Sequence, residues 1–380
     1  MKILHINCNY ITTALHQIMI EHLNNYNISN SIFVPTYSKK LSIINPNKNV
    51  IVSECFKKWD RLAFFYKQKK IYKSIVNSYD IPSFDAIHAY TLFTDGNVAY
   101  KLYKRYGIPY VVAIRSTDLD AFFKYRFYLR KRGIKIMRNA KIIFFLSDSY
   151  LNQVLQKYVP NKYVKEIKSK SLIVPNGIDD FWIKNIYKDK NIDLSLERFK
   201  NKKVNIIFVG QIVKRKNIEL ILKSISKLKD ENWSVNFSAI GKIKDQRLFN
   251  KLSKDKNFNY LGEMNKQQLL EEFRKNDIFI MTSKSETFGL VYAEAMSQGL
   301  PVIYTKGQGF DQQFSEGVVG YHANIINAKD IVKSIHKICS NYKEISNNCV
   351  KLVDKFDWNI ICRQYCEEYK KIIRKGKKHE

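Results

Sequence analysis

The chain has 380 residues, 45% of them hydrophobic, with 65 Lys and Arg against 35 Asp and Glu, a formal net charge of +30. That length exceeds the usual single core, so two domains are expected, and no apolar run reaches the roughly 18–20 residues that a membrane span needs. The charge has three readings: an AT-rich genome's codon bias towards Lys, Asn and Ile, an anionic membrane surface, or nucleic acid, the first two being compatible.

The opening "MKILHINCNY" reads as a first strand, not a signal peptide. Short apolar runs then alternate with longer amphipathic ones. In the first half the strand candidates are "KILHIN", "SIFVP", "DAIHA", "YVVAI", "IIFFLS" and "LIVP". Two stretches between them interleave bases with aromatics: "FKKWDRLAFFYKQKKIYKSI" (56–75) and "FFKYRFYLRKRGIKIMRNAK" (122–141), the second with no acid. Rings beside ammonium groups suit an anionic headgroup interface; solvated helices with core aromatics are the plainer account. His88 ends a strand candidate, and Asp95-Gly96 opens a helix where an N-cap is an equal reading.

After "LIVPNGIDDFW" (172–182) a polar, lysine-rich stretch interrupts the alternation, and Pro175, Asn176 and Gly177 are strong turn residues. The junction is placed near residue 178, giving domains at 1–178 and 179–356. The strand candidates resume with "VNIIFVG", "VNFSAI", "DIFIMTS" and "VIYT", with helical patterns over 217–230, 265–275 and 290–299. The final stretch, about 357–380, reads as an amphipathic helix expected to pack back on the first domain. Strand–helix alternation of this kind predicts an α/β protein with parallel sheets covered on both faces. The six cysteines form no C-x-x-C pair, and Cys362 and Cys366, four apart, are half a metal site at most, so buried thiols in a reducing cytosol are expected.

The chemistry concentrates in the second half. "SETFGLVYAEAMSQG" (283–297) sets Glu286 on a loop, Gly289 at a turn and Glu294 inside the next helix. A helix start exposes free N–H groups and partial positive charge, which suit a phosphate, and Glu294 is placed to accept from a ribose diol. Two solvated glutamates are the bland alternative. Upstream, "FVGQIVKRKNIELIL" (208–222) runs strand, Gly210, polar loop, helix, with Arg215 and Lys216 at the helix start. Cations there oppose the helix dipole unless an anion lies between them, and a diphosphate fits.

These elements and the two-domain layout resemble the retaining glycosyltransferases of family 4. That resemblance implies the GT-B fold, two Rossmann-like domains with a donor and acceptor cleft between them. It rests on the E-x7-E pair Glu286 and Glu294 with "AMSQGLPVI" (295–303), on "VPNGID" (174–179) and on "VGQIVKRKN" (209–217). On the acceptor side it rests on "DAIHAYTLFTDG" (85–96) and "YGIPYVVAIRSTD" (106–118). It implies that Lys216 binds the leaving diphosphate, Glu294 the donor ribose and Glu286 the donor sugar. Gly210, Gln211, Arg215, Thr287, Phe288, Gly289 and Leu290 would complete the donor site, residues 288–290 through backbone N–H groups. Arg115 and Asp118 join Glu286 and Lys216 as catalytic candidates. Three departures stand out: Gln211 where the family has arginine, Arg115 where it has histidine, and "NCNYITTALHQ" (7–17) where it has a glycine-rich loop.

No carboxylate nucleophile and acid pair for double displacement is evident. The resemblance implies front-face transfer with retention, in which a leaving phosphate oxygen takes the acceptor proton. Metal is not required where cations stabilise the departing charge, so metal independence and no cofactor beyond the nucleotide-sugar are expected. The expectation is a cytoplasmic hexosyl- or N-acetylhexosaminyltransferase, at the inner face of the membrane on the surface reading of its charge. Its partners would be a nucleotide-sugar, UDP-linked on family frequency, and a glycan or lipid-linked acceptor of surface polysaccharide synthesis; nucleic acid is not expected. Rival readings are a non-catalytic nucleotide-sugar-binding subunit and an epimerase on the same fold.

Overall fold

The computed structural model describes residues 1–38 and 49–376. The chain forms two compact units: Met1–Leu146 with Tyr150–Gly177 and the segment from Trp358, and Ile178–Asp357 with Ser147–Ser149.

The first unit is a seven-stranded parallel sheet of β1 (Lys2–Ile6), β2 (Ser29–Thr36), β3 (Val50–Glu54), β4 (Ala86–Ala89), β5 (Tyr110–Ile114), β6 (Ile142–Phe145) and β7 (Ser171–Ile173). Its order is β3-β2-β1-β4-β5-β6-β7, so the winding reverses between β1 and β4. The second unit holds β8 (Lys203–Val209), β9 (Ser234–Ile240), β10 (Asn259–Tyr260), β11 (Ile278–Ile280), β12 (Val302–Thr305) and β13 (Gly320–Ala323). Here the order is β10-β9-β8-β11-β12-β13, again parallel, reversing between β8 and β11. Both are doubly wound sheets, which bind ligands beyond the carboxyl ends of the strands where the winding reverses.

All ten apolar runs singled out in the sequence become strands. The three strands without such a run, β3, β10 and β13, are all at sheet edges. One flank of an edge strand meets solvent, so the sequence there need not be uniformly apolar: "VIVSE" has no fully buried residue.

The helix Trp358–Gly376 completes the core of the first unit. Trp358, Tyr365 and Tyr369 share one apolar cluster with Ile3, Met19 and Phe144. Polar contacts fix its register: His22 Nδ1 lies 3.0 Å from Asn359 Oδ1, and the Tyr26 hydroxyl donates to the Asn359 carbonyl at 2.8 Å. All six cysteines are free thiols.

The two basic, aromatic stretches divide their rings between core and solvent. Phe64 and Phe123 are buried, whereas Trp59 (78% exposed), Leu62, Phe65, Tyr66, Tyr125, Phe127 (71% exposed) and Tyr128 stand in solvent. The stretches adjoin each other, since the Arg126 guanidinium donates to the Arg61 carbonyl at 3.3 Å. Among the described residues, no helix is long and apolar enough to cross a membrane.

Gly177, the last residue of its segment, lies under the buried Trp358 indole, and a Cβ there would fall 2.5 Å from the ring. Moving an indole in a packed core costs about 1–3 kcal/mol. Gly177→Ala is expected to lower the thermal midpoint by several degrees, and an unchanged melting curve would overturn this account of the glycine.

Candidate nucleotide site

In the second unit the loops after β8 and β11, the two strands at the reversal, are knitted together. Gly210 follows β8 and its N–H donates to the Ile240 carbonyl at 2.9 Å. A single 3-10 turn, Lys214–Lys216, and the left-handed Asn217 then lead into the helix Ile218–Asp230. This turn tucks Lys216 inward, leaving it 7% exposed. Its ammonium donates to Glu286 Oε2 at 2.5 Å and lies 3.1 Å from Met281 Sδ. Arg215, more exposed, reaches within 3.8 Å of the same carboxylate oxygen, and the Lys284 N–H donates to the Arg215 carbonyl at 2.8 Å. Burial lowers the Lys216 pKa and Arg215 adds to this, while Glu286 opposes both. Gln211 is exposed beside the turn.

The segment from Ser283 to Gly289 is held from behind by the loop after β12. The Glu286 N–H donates to Gln308 Oε1 at 2.9 Å, the Gly309 N–H to the Glu286 carbonyl at 3.2 Å, and the Thr305 hydroxyl to the Ser283 carbonyl at 2.8 Å. A Cβ on Gly309 would sit 1.8 Å from the Thr287 carbonyl oxygen, so this approach requires glycine. Phe288 is 2% exposed and packs on Phe310 and Phe356, so its side chain anchors the loop and only its backbone is offered to a ligand. Gly289, at φ 74°, opens the helix Leu290–Ser297, which has no side-chain cap. Uncapped first-turn amides can take an anion.

Glu294 belongs to different company. Burial raises its carboxyl to about 7; Lys266 pulls it down, Asp179 pushes it up, and a hydrogen bond from the Trp182 indole favours the carboxylate. Lys266 is itself ion-paired with Asp179. The structure thus gathers Gly210, Arg215, Lys216 and Glu286 into one cluster and sets Glu294 among Trp182, Asp179 and Lys266. Sequence reasoning did not single out Gln308, Gly309, Trp182 or Lys266, and it reached Asp179 only as the end of "VPNGID". Only the glycine-rich "KGQGF" (306–310) carried a visible signal, that of a turn.

Arg115 and Asp118 lie in the first unit. The buried Asp118 carboxylate accepts backbone N–H groups from Leu92 at 3.0 Å, Phe93 at 3.2 Å and Arg115 at 3.0 Å. Burial raises it to about 6 against those hydrogen bonds. Through the Asp118 carboxylate the three amides tie residues 92–93 to 115. The Arg115 guanidinium donates to Asn176 Oδ1 at 3.1 Å. Its charge adds to burial in lowering His16 to about 3, and burial lowers His5 to about 4. His88 is a packed core histidine, stacked on Tyr90 with ring centroids 4.3 Å apart and 2.5 Å from the Tyr369 hydroxyl. Asp95 does not cap its helix: its carboxylate accepts the Thr91 hydroxyl at 3.0 Å and the Cys8 N–H at 3.3 Å.

Comparison with known proteins bears on both units. Residues 189–355 match the family model of glycosyl transferases group 1. An uncharacterized glycosyltransferase of Methanocaldococcus jannaschii is 26% identical over 83% of this chain and 83% of its own length. The alpha-monoglucosyldiacylglycerol synthase of Acholeplasma laidlawii is 26% identical over 68% of this chain and 67% of its own. Among solved structures, Anabaena HepE in complex with UDP-glucose superposes with a TM-score of 0.66 at 17% identity, over 98% of this chain and 100% of that one. The fold is therefore GT-B, as the sequence resemblance implied.

Two tests follow from the geometry. Gly309→Ala should displace Thr287 and Phe288 and weaken nucleotide binding by about tenfold or more, at the upper range of strain costs; unaltered affinity by calorimetry would show the loop to be dispensable. The family resemblance implies that ribose hydroxyls donate to Glu294; such donors would select its ionised form, so affinity should be full above about pH 7 and fall as pH drops through that value. UDP should bind about tenfold more weakly near pH 6 than near pH 8, with Glu294→Gln losing that dependence. A flat profile in the unsubstituted protein would separate Glu294 from the nucleotide.

Proposed function

We propose that this chain, a glycosyltransferase, moves a hexosyl or N-acetylhexosaminyl group with retention of configuration from a UDP-sugar to a glycan or lipid-linked acceptor in surface polysaccharide synthesis. The observation that carries this reading is the Lys216–Glu286 pair, 2.5 Å apart, with Arg215 beside it where the second sheet reverses. The E-x7-E spacing supports the family 4 assignment, and a solved neighbour that holds UDP-glucose supports the donor class.

In this mechanism the donor diphosphate takes over the Lys216 ammonium from Glu286. Freed of its partner, the Glu286 carboxylate accepts from hydroxyls of the transferred sugar. Arg215 and the first-turn amides at Leu290 add positive charge where the leaving group's negative charge develops, the kind of stabilisation worth most in a water-poor site. The bond from the anomeric carbon to the diphosphate oxygen breaks as the acceptor oxygen bonds to the same face. The acceptor proton passes to that departing phosphate oxygen. Lys216, Arg215 and the helix start carry the electrostatic work, so we propose a reaction independent of metal. Gln211 leaves a gap in the family's cation pattern that Arg215 fills.

The exposed Trp59, Leu62, Phe65, Tyr125 and Phe127, set among lysines and arginines, favour attachment to an anionic membrane surface from the cytoplasmic side. The lipid-linked form of the acceptor is consistent with that placement.

A thermal-shift panel of UDP, GDP, ADP and CMP tests the donor. Ligand at about 100 times its dissociation constant adds about 2.7 kcal/mol, and UDP should stand out. Lys216→Ala should cut transfer by about a hundredfold or more. Glu294→Ala should weaken UDP binding, whereas Glu286→Ala should mainly slow transfer. Equal UDP affinity in the parent and Glu294→Ala would sink that division of labour. Transfer should survive EDTA, and loss on chelation with recovery on adding Mn2+ would overturn metal independence.

A further inference from the structure

The reversal point of the first sheet, between β1 and β4, carries its own cavity of 410 Å³. Its walls come from the carboxyl ends of the strands: Cys8 and Asn9 after β1, Thr36 at the end of β2, Thr94 after β4 and Thr117 after β5. Three cations line it, Arg61, Lys67 and Arg126, and among the described residues no carboxylate does.

Each cation lies on an aromatic face, and among the described residues none is ion-paired with an acid. The Arg61 guanidinium is 4.5 Å from the Tyr37 ring centroid, the Lys67 ammonium 4.5 Å from that of Phe56, and the Arg126 guanidinium 5.1 Å from that of Phe122. Ring faces fix a cation in place without using its N–H donors. Lys67 also falls in the first turn of the helix Phe64–Ser78, which has no acid in that turn and whose dipole makes a cation there unfavourable. Burial depresses the Lys67 pKa and Arg61 depresses it further, with Cys8 and the buried Asp95 behind the wall opposing. Three cations with no acid partner among the described residues, in a concave site with hydroxyls at Thr94 and Thr117, are a receptor for a compact dianion.

We propose that this cavity binds a phosphate ester, the phosphorylated head of the acceptor, with Arg61, Lys67 and Arg126 as its charge-bearing contacts. The inference rests on the reading of the chain as a transferase with an acceptor. Trp59, Leu62, Phe65, Tyr125 and Phe127 are exposed on the segments that supply the three cations, so a lipid phosphate entering from a bilayer is the source this surface favours. A free phosphate ester shares the same chemistry.

A matched pair of probes separates the two sources: glycerol 3-phosphate in solution, and phosphatidic acid in phosphatidylcholine vesicles, which presents the same head on acyl chains. The full chain should bind both, and Arg61→Gln and Lys67→Gln should each weaken both by about tenfold. Lys329→Gln, a surface lysine of the second unit, is the control for bulk charge. Arg61 is exposed, so its substitution tests the site even if Lys67→Gln folds poorly. If vesicles bind far more tightly than glycerol 3-phosphate and Trp59→Ser removes the difference, the source is a lipid. Equal affinity for both probes, unaffected by Trp59→Ser, supports the site with a soluble ester as its ligand. Failure of both probes to bind, or losses in Arg61→Gln and Lys67→Gln no larger than in Lys329→Gln, would overturn the proposal. UDP titration of the same samples reads the second unit alone, so a failed donor site and a failed phosphate site give separate results.

Discussion

The ammonium of Lys216 is the charge around which the second unit's candidate site is organised. It lies almost out of water, and its one carboxylate partner comes from a loop seventy residues away. Breaking such a pair by removing one partner costs about 3–5 kcal/mol, because the other charge is stranded. That penalty binds the loop after β8 to the loop after β11, and Gln308 and Gly309 then hold the second loop from behind. The pair also has a natural substitute: an anionic ligand can replace the carboxylate without stranding the lysine. A site of this kind is assembled before its ligand arrives, and little reorganisation is left for binding.

The two units apply one topological device with opposite electrostatic settings. Each sheet reverses its winding and leaves a crevice at its strand ends. In the second, an acid already answers the buried cation. In the first, three cations rest on aromatic rings and the nearby acids, Asp95 and Asp118, are turned into the structure to hold backbone and hydroxyl groups. An acid that faces inward lends its neighbourhood rigidity while leaving the positive potential at the surface largely uncancelled.

Much of this was legible in the sequence wherever a residue's burial and its chemistry pointed the same way. Interior strands such as "VNIIFVG" are apolar on both faces and declare themselves; "VIVSE" and "NY", at the edges, do not. Gly289 was readable because a strand-to-helix turn needs the left-handed backbone it adopts. The E-x7-E spacing located both glutamates, but spacing is blind to partners. That Glu286 would face Lys216, and Glu294 a tryptophan and an ion pair, depends on segments remote in the chain. Asp118 shows the same blindness, since a motif match places a carboxylate without saying which backbone groups its oxygens hold. Gly309 escaped because its requirement, a carbonyl passing almost through the place of its Cβ, exists only in three dimensions.

The C-terminal helix gives the chain an unusual order of assembly. Trp358, Tyr365 and Tyr369 belong to the same apolar cluster as Ile3 and Met19, so the earlier-made of the two units lacks part of its interior until residues 358–372 are synthesised. The second unit, almost wholly the continuous segment Ile178–Asp357, has no such wait. At translation rates of about 5–20 residues per second, the N-terminal sheet spends on the order of ten seconds or more with a bare apolar face while the rest of the chain is synthesised. Nascent chains of this protein are therefore natural clients for chaperones that shield hydrophobic surface, and the later-made unit is the one equipped to fold first.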